Sequence, residues 1–189
     1  QHRDLFTGLD LVFFDTTSIY FEGQGGVKVG RHGHSKDHRP DLKQMVVGVV
    51  LDATGRPICC ELWPGNTTDV CTLIPMVDRL RSRFAIGSVC VVADRGMISA
   101  ATIQQLKERS IHFILGARLR NVREIRQQVL SQPGRYHEVN GPRQQSKDPS
   151  PLKVKDVSIG ERRYVVCHNE EQAKKDKADR EAIVRALRE

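Results

Sequence analysis

"SVCVVADRGM", residues 88–97, drives a run of apolar and small residues into a carboxylate, Asp94, with Arg95 and Gly96 directly behind it. "LVFFDTTS", residues 11–18, repeats the pattern, with Leu11, Val12, Phe13 and Phe14 carrying Asp15 toward an interior. Short apolar runs bounded by turn residues read as strands inside a sheet. A carboxylate taken there costs free energy unless it is protonated, paired with a cation or bound to a metal. Whether one partner can serve both acids depends on how the elements around them are ordered.

Residues 9–21 form the first strand, apolar on both faces around Asp15, as in a central strand covered on both sides of its sheet. The Gly-rich, polar stretch "EGQGGVKVGRHGHSKDHRPD", residues 22–41, predicts a long hairpin or mobile loop. "KQMVVGVVLD", the turn "ATG" and "RPICCELW" then read as an antiparallel meander over residues 43–63. After "PGNTTD" a helix runs to about Arg83, with Pro75 in its first turn or at a kink. The strand "SVCVVAD" follows, then a short helix capped by Ser99, with Lys107 and Arg109 at its negative end, then the strand "IHFILGAR". A meander followed by a helical crossover places strand four beside strand one, parallel and right-handed, with strand five outside it. The expected sheet order is 3-2-1-4-5, which puts Asp15 and Asp94 on adjacent central strands.

Beyond residue 117 the texture changes. "NVREIRQQVLSQ" predicts a helix, "GRYHEV", "PLKVKDVSIG" and "ERRYVVCHNE" predict short strands around the polar loop "NGPRQQSKDPS", and residues 170–189 are strongly helical. Two regions are expected: 1–117, an α/β core, and 118–189, a basic β-rich segment ending in a helix. The charge divides the same way. Lys and Arg number 13 against 12 Asp and Glu over residues 1–117, and 17 against 11 over residues 118–189, so most of the net +7 lies in the second region. A local cationic excess suits a polyanion such as nucleic acid, and equally a solvated charged face.

No apolar run approaches the roughly 20 residues of a membrane span, and the first residues lack a signal-peptide pattern, so a cytoplasmic protein with no membrane partner is expected. Cys59, Cys60, Cys71, Cys90 and Cys167 are odd in number and show no Cys-x-x-Cys spacing, which predicts reduced cysteines buried as packing residues.

Two aspartates brought side by side disfavour joint ionisation. A divalent cation removes the conflict, because Mg²⁺ or Mn²⁺ takes hard oxygen ligands, and two such ions about 4 Å apart serve in-line phosphoryl displacement. The alternative for each acid alone is structural: Asp94 paired with Arg95 or another arginine, and Asp15 capping a turn with Thr16 and Thr17.

"FFDTTSIYFEG", "GHSKDHRPDLKQ", "GRPICCELWPGNTTD" and "VVADRGM", in this order and spacing, resemble the catalytic core of bacterial insertion-sequence transposases of the DDE class, specifically the insertion-sequence-4 group. "HFILGARLRN" continues the resemblance into the segment that precedes this group's β-rich insertion. The resemblance implies a ribonuclease-H-like fold with a mixed five-stranded sheet. It makes Asp15 and Asp94 the first two acids of the DDE triad, catalytic and metal-binding, around a two-ion Mg²⁺ or Mn²⁺ site. The group's third acid is a glutamate in a Tyr-x-x-Arg-x-x-x-Glu-x-x-x-x-x-x-Lys pattern. Tyr20, Tyr136 and Tyr164 all lack that continuation, so the third acidic ligand is expected to be absent and the chain to be a catalytic-core fragment. Glu171 and Glu181 sit in a stretch that looks like what comes before the motif.

Other residues take supporting roles. Lys36, His38, Arg39 and Lys43 in "HSKDHRPDLK", Arg95, and Arg118 and Arg120 in "GARLRN" are candidate contacts to the DNA backbone. His32, His34 and His38 with Asp37 and Asp41 also admit a transition-metal reading, which the neighbouring Lys36, Arg39 and Lys43 disfavour. "GNTTD" caps the following helix through Asn66 or Thr67, or meets a phosphate with its amides. Arg95 either orients the second carboxylate, holds DNA or makes a structural ion pair. Trp63 packs at a strand end or stacks on a flipped base. Glu171 and Lys175 have the i,i+4 spacing of a solvated helix.

The function expected is that of a transposase catalytic domain: hydrolysis of the phosphodiester at transposon ends, then attack of the freed 3′-hydroxyl on target DNA. DNA is the expected partner, with a homodimer forming on it in the full-length protein and little or no cutting by this chain alone. A second reading is a non-catalytic DNA-binding or oligomerising remnant. A third is a ribonuclease-H-like nuclease that completes its site with Glu61 or another local acid.

Overall fold

Alternation of side chains, not a uniformly apolar strand, organises the first region. The computed structural model describes residues 11–23, 25–84, 89–117 and 123–188. On β1 (Leu11–Tyr20), Val12, Phe14, Thr16 and Ser18 are buried while Phe13, Asp15, Thr17 and Ile19 are exposed. β2 (Gln44–Asp52) runs antiparallel beside it, with Phe14 opposite Val50 and Asp15 opposite Val49. β3 (Pro57–Pro64) returns antiparallel to β2. The turn between them is closed by Asp52, whose Oδ1 accepts from the Arg56 and Thr54 amides and the Thr54 hydroxyl, with Gly55 at φ +81° taking the left-handed position. Those bonds, the Arg56 amide first, hold the Asp52 carboxyl below its ordinary value.

A 3-10 turn (Asp69–Cys71) leads into α1 (Leu73–Phe84). Pro75 lies in the first turn, where an amide proton has no intrahelical acceptor to lose. β4 (Cys90–Ala93), a second 3-10 turn (Arg95–Met97), α2 (Ala100–Glu108) and β5 (His112–Leu115) complete the region. β4 lies parallel to both β1 and β5, and the sheet order is β3-β2-β1-β4-β5, as the crossover rule requires.

The core sits on one face of this sheet. Leu73, Met76, Val77 and Leu80 of α1 and Leu106 of α2 meet Val12, Phe14, Val50 and Val91. Trp63 crosses Phe14 edge-on, with ring centroids 6.5 Å apart, so it is a packing residue of the half-buried rim. The expectation of a sheet covered on both sides does not hold among the described residues: Phe13, Ile19, Leu62 and Ile114 are each at least 40% exposed on the opposite face.

Within the stretch expected to be a long hairpin or mobile loop, residues 31–39 are pinned. Arg31 bridges to Gln44, the buried Ser35 hydroxyl accepts from the Asp37 and Arg39 amides, and the Ser18 hydroxyl accepts from the Lys36 amide. Gly33 and Gly65 let two backbone segments touch, since a Cβ on Gly33 would lie 2.0 Å from the Gly65 carbonyl oxygen. The cysteines are free, but Cys60, Cys71 and Cys167 are exposed, because their strand or turn positions point away from the core.

The chain divides into two compact units, Gln1–Ala117 and Arg118–Glu189. In the second, β6 (His137–Asn140), β7 (Leu152–Ile159) and β8 (Arg162–His168) form an antiparallel sheet in that order. The helix expected over 121–132 reduces, among described residues, to a short wide turn at Ile125–Val129 that buries Ile125 and Val129. Glu124 anchors this turn by accepting from the Tyr164 hydroxyl and pairing with Arg162. α3 (Glu170–Ala186) is capped by Asn169 and buries no residue. Glu171 pairs with Arg143 at 3.8 Å, not with Lys175, while the i,i+4 pair on this helix is Lys177–Glu181. No helix among the described residues is long and apolar enough to cross a membrane.

Candidate active site

Parallel pairing sets the position of both acids. β1 and β4 register as Val12 with Val91, Phe13 with Val92 and Phe14 with Ala93. Asp15 and Asp94 are each the next residue along, and neighbouring strands lie about 5 Å apart. Phe14 and Ala93 face the core, so alternation turns the following residue of each strand to the other face, and both acids are exposed there. They line one open hollow of about 370 Å³ together with Phe13, Val49, Leu51 and Val92. Neither strand drives its acid into the core, which answers the electrostatic difficulty raised by the sequence.

Each carboxylate is held by local backbone. Asp15 Oδ1 accepts from the Thr16 amide at 2.7 Å. Asp94 is extended (φ −76°, ψ 176°) and caps the 95–97 turn, its Oδ1 accepting from the Gly96 amide at 2.7 Å. Gly116, just past β5, bonds to the Ala93 carbonyl, and a Cβ there would lie 2.8 Å from the Arg95 nitrogen. The Asp94 turn is therefore braced by β5 from the side away from Asp15.

A third acid approaches from below. Asp69 Oδ1 accepts from the Thr16 hydroxyl at 2.7 Å, and its Oδ2 lies 3.4 Å from the Lys36 ammonium. Lys36 also donates to the Thr16 carbonyl and hydroxyl oxygens. Its ammonium is thus turned toward β1 and Asp69. The capping reading of "GNTTD" needs revision: Thr68, not Asn66 or Thr67, occupies the N-cap of the 3-10 turn, and no side chain caps it.

The remaining candidates divide. Arg39 grips Asp41 through two bonds of 3.0 and 2.8 Å, which raises its pKa and lowers that of Asp41, and its guanidinium lies over the Tyr20 ring. His38 is exposed with φ 57°, Lys43 is half-buried, and Arg95 is exposed beside Asp94. Arg118 and Arg120 lie outside the described residues. Glu61 sits on the core-side face of β3 and pairs with Arg79, so it is on the opposite face from Asp15 and cannot complete the site. Among the described residues no three His, Cys, Asp or Glu side chains gather closely enough to form a metal cage.

Asp15 and Asp94 fit a divalent ion as a pair of hard oxygen donors at an open position, the arrangement in which Mg²⁺ keeps several waters or substrate oxygens. Asp69 and Thr16 escaped the sequence reading. The signal present was an acid closing a Gly-Asn-Thr-Thr turn and a hydroxyl next to Asp15, but nothing local tells that the two meet 53 residues apart.

Two solved structures are similar over part of the chain. One is a pre-cleavage Mos1 transpososome, 20% identical, TM-score 0.37, covering 56% of this chain and 35% of that one. The other is a piggyBac transposase synaptic complex with hairpin DNA, 17% identical, TM-score 0.46, covering 83% and 32%. The chain spans about a third of the length of each. No curated protein matches. The family model described as "Transposase DDE domain" matches residues 7–178, nearly the whole sequence, and the chain belongs to that family.

Proposed function

We propose that this chain carries the first two acids of a transposase active site, and that Asp15 and Asp94 together hold the divalent ions, Mg²⁺ or Mn²⁺, on which cutting depends. The observation that carries the reading is the placement of the two carboxylates at matching positions, each one residue past the last pair of the parallel strands β1 and β4, on an open face. When bound, such ions offset charge developing on phosphate oxygens and ease deprotonation of the attacking oxygen. The protein's part is orientation. Each carboxylate has one oxygen fixed by a backbone amide, so the pair meets its ligands with little reorganisation. The open hollow leaves room for a phosphodiester above them.

Two transfers are proposed. A water oxygen bonds to phosphorus at a transposon end as the bond to the 3′-oxygen breaks, and that oxygen leaves as a hydroxyl after taking a proton. The freed 3′-hydroxyl oxygen then bonds to a target-strand phosphorus as the P–O3′ bond there breaks, conserving the number of phosphodiesters. DNA is the substrate class, the cationic second unit is a surface for its backbone, and a homodimer in the full-length protein pairs the two ends. Lys36, His38, Arg39, Lys43 and Arg95 are proposed as contacts to that backbone. Arg118 and Arg120 are proposed for the same role on their sequence position.

The test is Mg²⁺-dependent nicking of cognate end DNA by the full-length protein. Asp94→Asn removes a ligand charge whose loss costs several kcal/mol of transition-state stabilisation, about two decades or more in rate. An Asp94→Asn enzyme that nicks as fast as its parent rejects the assignment. The second reading, a non-catalytic DNA-binding remnant, draws on the cationic excess of residues 118–189. A mobility shift without divalent ions, unaltered by adding Mn²⁺, favours it.

A further inference from the structure

Three side chains from distant parts of the sequence converge beneath Asp15, and neither the ladder nor the core requires them to. Thr16 is 4% exposed, and its hydroxyl lies against the Asp69 carboxylate. A buried hydroxyl on the core face of a central strand is costly unless bonded, and here an acid reaches it from the turn that precedes α1. Lys36, from the loop before β2, closes the group by engaging the Thr16 carbonyl and hydroxyl and Asp69 Oδ2. The other side of that carboxylate meets the Asp94 turn: a Cβ on Gly96 would lie 3.3 Å from Asp69 Oδ2 and 3.0 Å from Asp94 Oδ1. Asp69 therefore bonds to β1 at the residue after Asp15 and lies close beside the turn at the second residue after Asp94.

We infer that Asp69 is a positioning residue for the two-aspartate site, acting through Thr16 on Asp15 and through the 95–97 turn on Asp94; the inference rests on the metal-binding reading given above. The physical reason is specific. β4, only Cys90–Ala93, ends one residue before Asp94, so its pairing with β1 does not itself fix the turn that carries Asp94. A carboxylate that accepts a 2.7 Å hydrogen bond from one segment and lies close beside the other supplies that link. Lys36, its ammonium 3.4 Å from Asp69 Oδ2, is the ion-pair partner that closes the group. Outer partners of this kind typically change metal affinity 10- to 100-fold when removed.

The measurement is Mn²⁺ affinity of the whole chain, read from the electron paramagnetic resonance signal of free Mn²⁺, with thermal unfolding followed alongside. Asp69→Asn and Thr16→Val are expected to weaken Mn²⁺ binding about tenfold. Thr16→Ser, which keeps the hydroxyl, is expected to bind as the parent does. Folding loss alone does not reproduce that pattern, since binding is compared well below each variant's unfolding temperature. Asp69→Asn and Thr16→Val proteins that are folded and bind Mn²⁺ as tightly as the parent overturn the inference. Weakening in Thr16→Ser equal to that in Thr16→Val also overturns it, because the hydroxyl is then not the link. Asp15→Asn separates the two claims: if it leaves Mn²⁺ affinity untouched, or the parent binds no Mn²⁺, the metal-binding reading itself is wrong.

Discussion

Gly48 shows how much one residue can settle. It lies on β2 opposite Thr16 and Glu61, on the core face, and a Cβ there would come within 2.6 Å of the Trp63 ring and 2.8 Å of Phe14. Both rings close over the missing side chain, which explains why Trp63 packs inward and offers no platform for a base. Gly48→Ala is expected to destabilise the chain by about 1–3 kcal/mol through overpacking, seen as a lower urea midpoint with an unchanged slope. Asp78 and Arg109 form a second residue-scale device, with bonds of 2.7 and 3.0 Å tying α1 to the end of α2. The Arg109 guanidinium holds the Asp78 carboxyl below its ordinary value. A carboxyl with a depressed folded pKa contributes stability that is present above its unfolded value, near 4, and lost as pH falls through the folded one. Arg109→Ala should therefore cost about 0.5–1 kcal/mol at pH 7 and nothing once Asp78 is protonated, a convergence visible in unfolding curves taken from pH 6 down to pH 2.

Elements were legible in the sequence where period and punctuation agreed. The meander, the crossover helix and both flanking strands follow from alternation, from Pro75 and from Ser99, whose hydroxyl accepts from the Thr102 amide as a capping residue should. Ser99→Ala is expected to lower stability by about 1 kcal/mol, readable as a drop in the thermal midpoint. The adjacency of Asp15 and Asp94 was also legible, because handedness leaves one place for β4. Coverage of the faces was not. Apolar residues at Phe13, Ile19 and Ile114 look identical in sequence whether something lies over them or not, and α1 and α2 both went to the other side. The same limit hid Asp69 and its pairing with Lys36: a turn residue's destination depends on how the chain folds back, which no local period records.

For the whole molecule, charge is distributed in a way that can be weighed against chemistry. Residues 118–189 hold 17 basic against 11 acidic side chains, while the open face of the first unit presents two carboxylates. Without divalent ions those carboxylates repel a phosphate backbone by about 1 kcal/mol at contact distance in water. Asp15→Asn should thus bind DNA severalfold more tightly than the parent in chelator, yet lose the gain that Mg²⁺ confers, as a filter-binding titration with and without EDTA would reveal. Binding should also weaken linearly in the logarithm of salt concentration, with a slope of about −0.9 per phosphate neutralised. The close meeting of Gly33 and Gly65 has a consequence of its own. Because two main chains touch there with no side chain between them, the segment that delivers Lys36 is clamped by bare backbone, like a buckle with no pin to wear. Any substituent at either glycine would prise that fastening open and so be felt at the aspartates, although neither glycine carries a single group able to take part in chemistry.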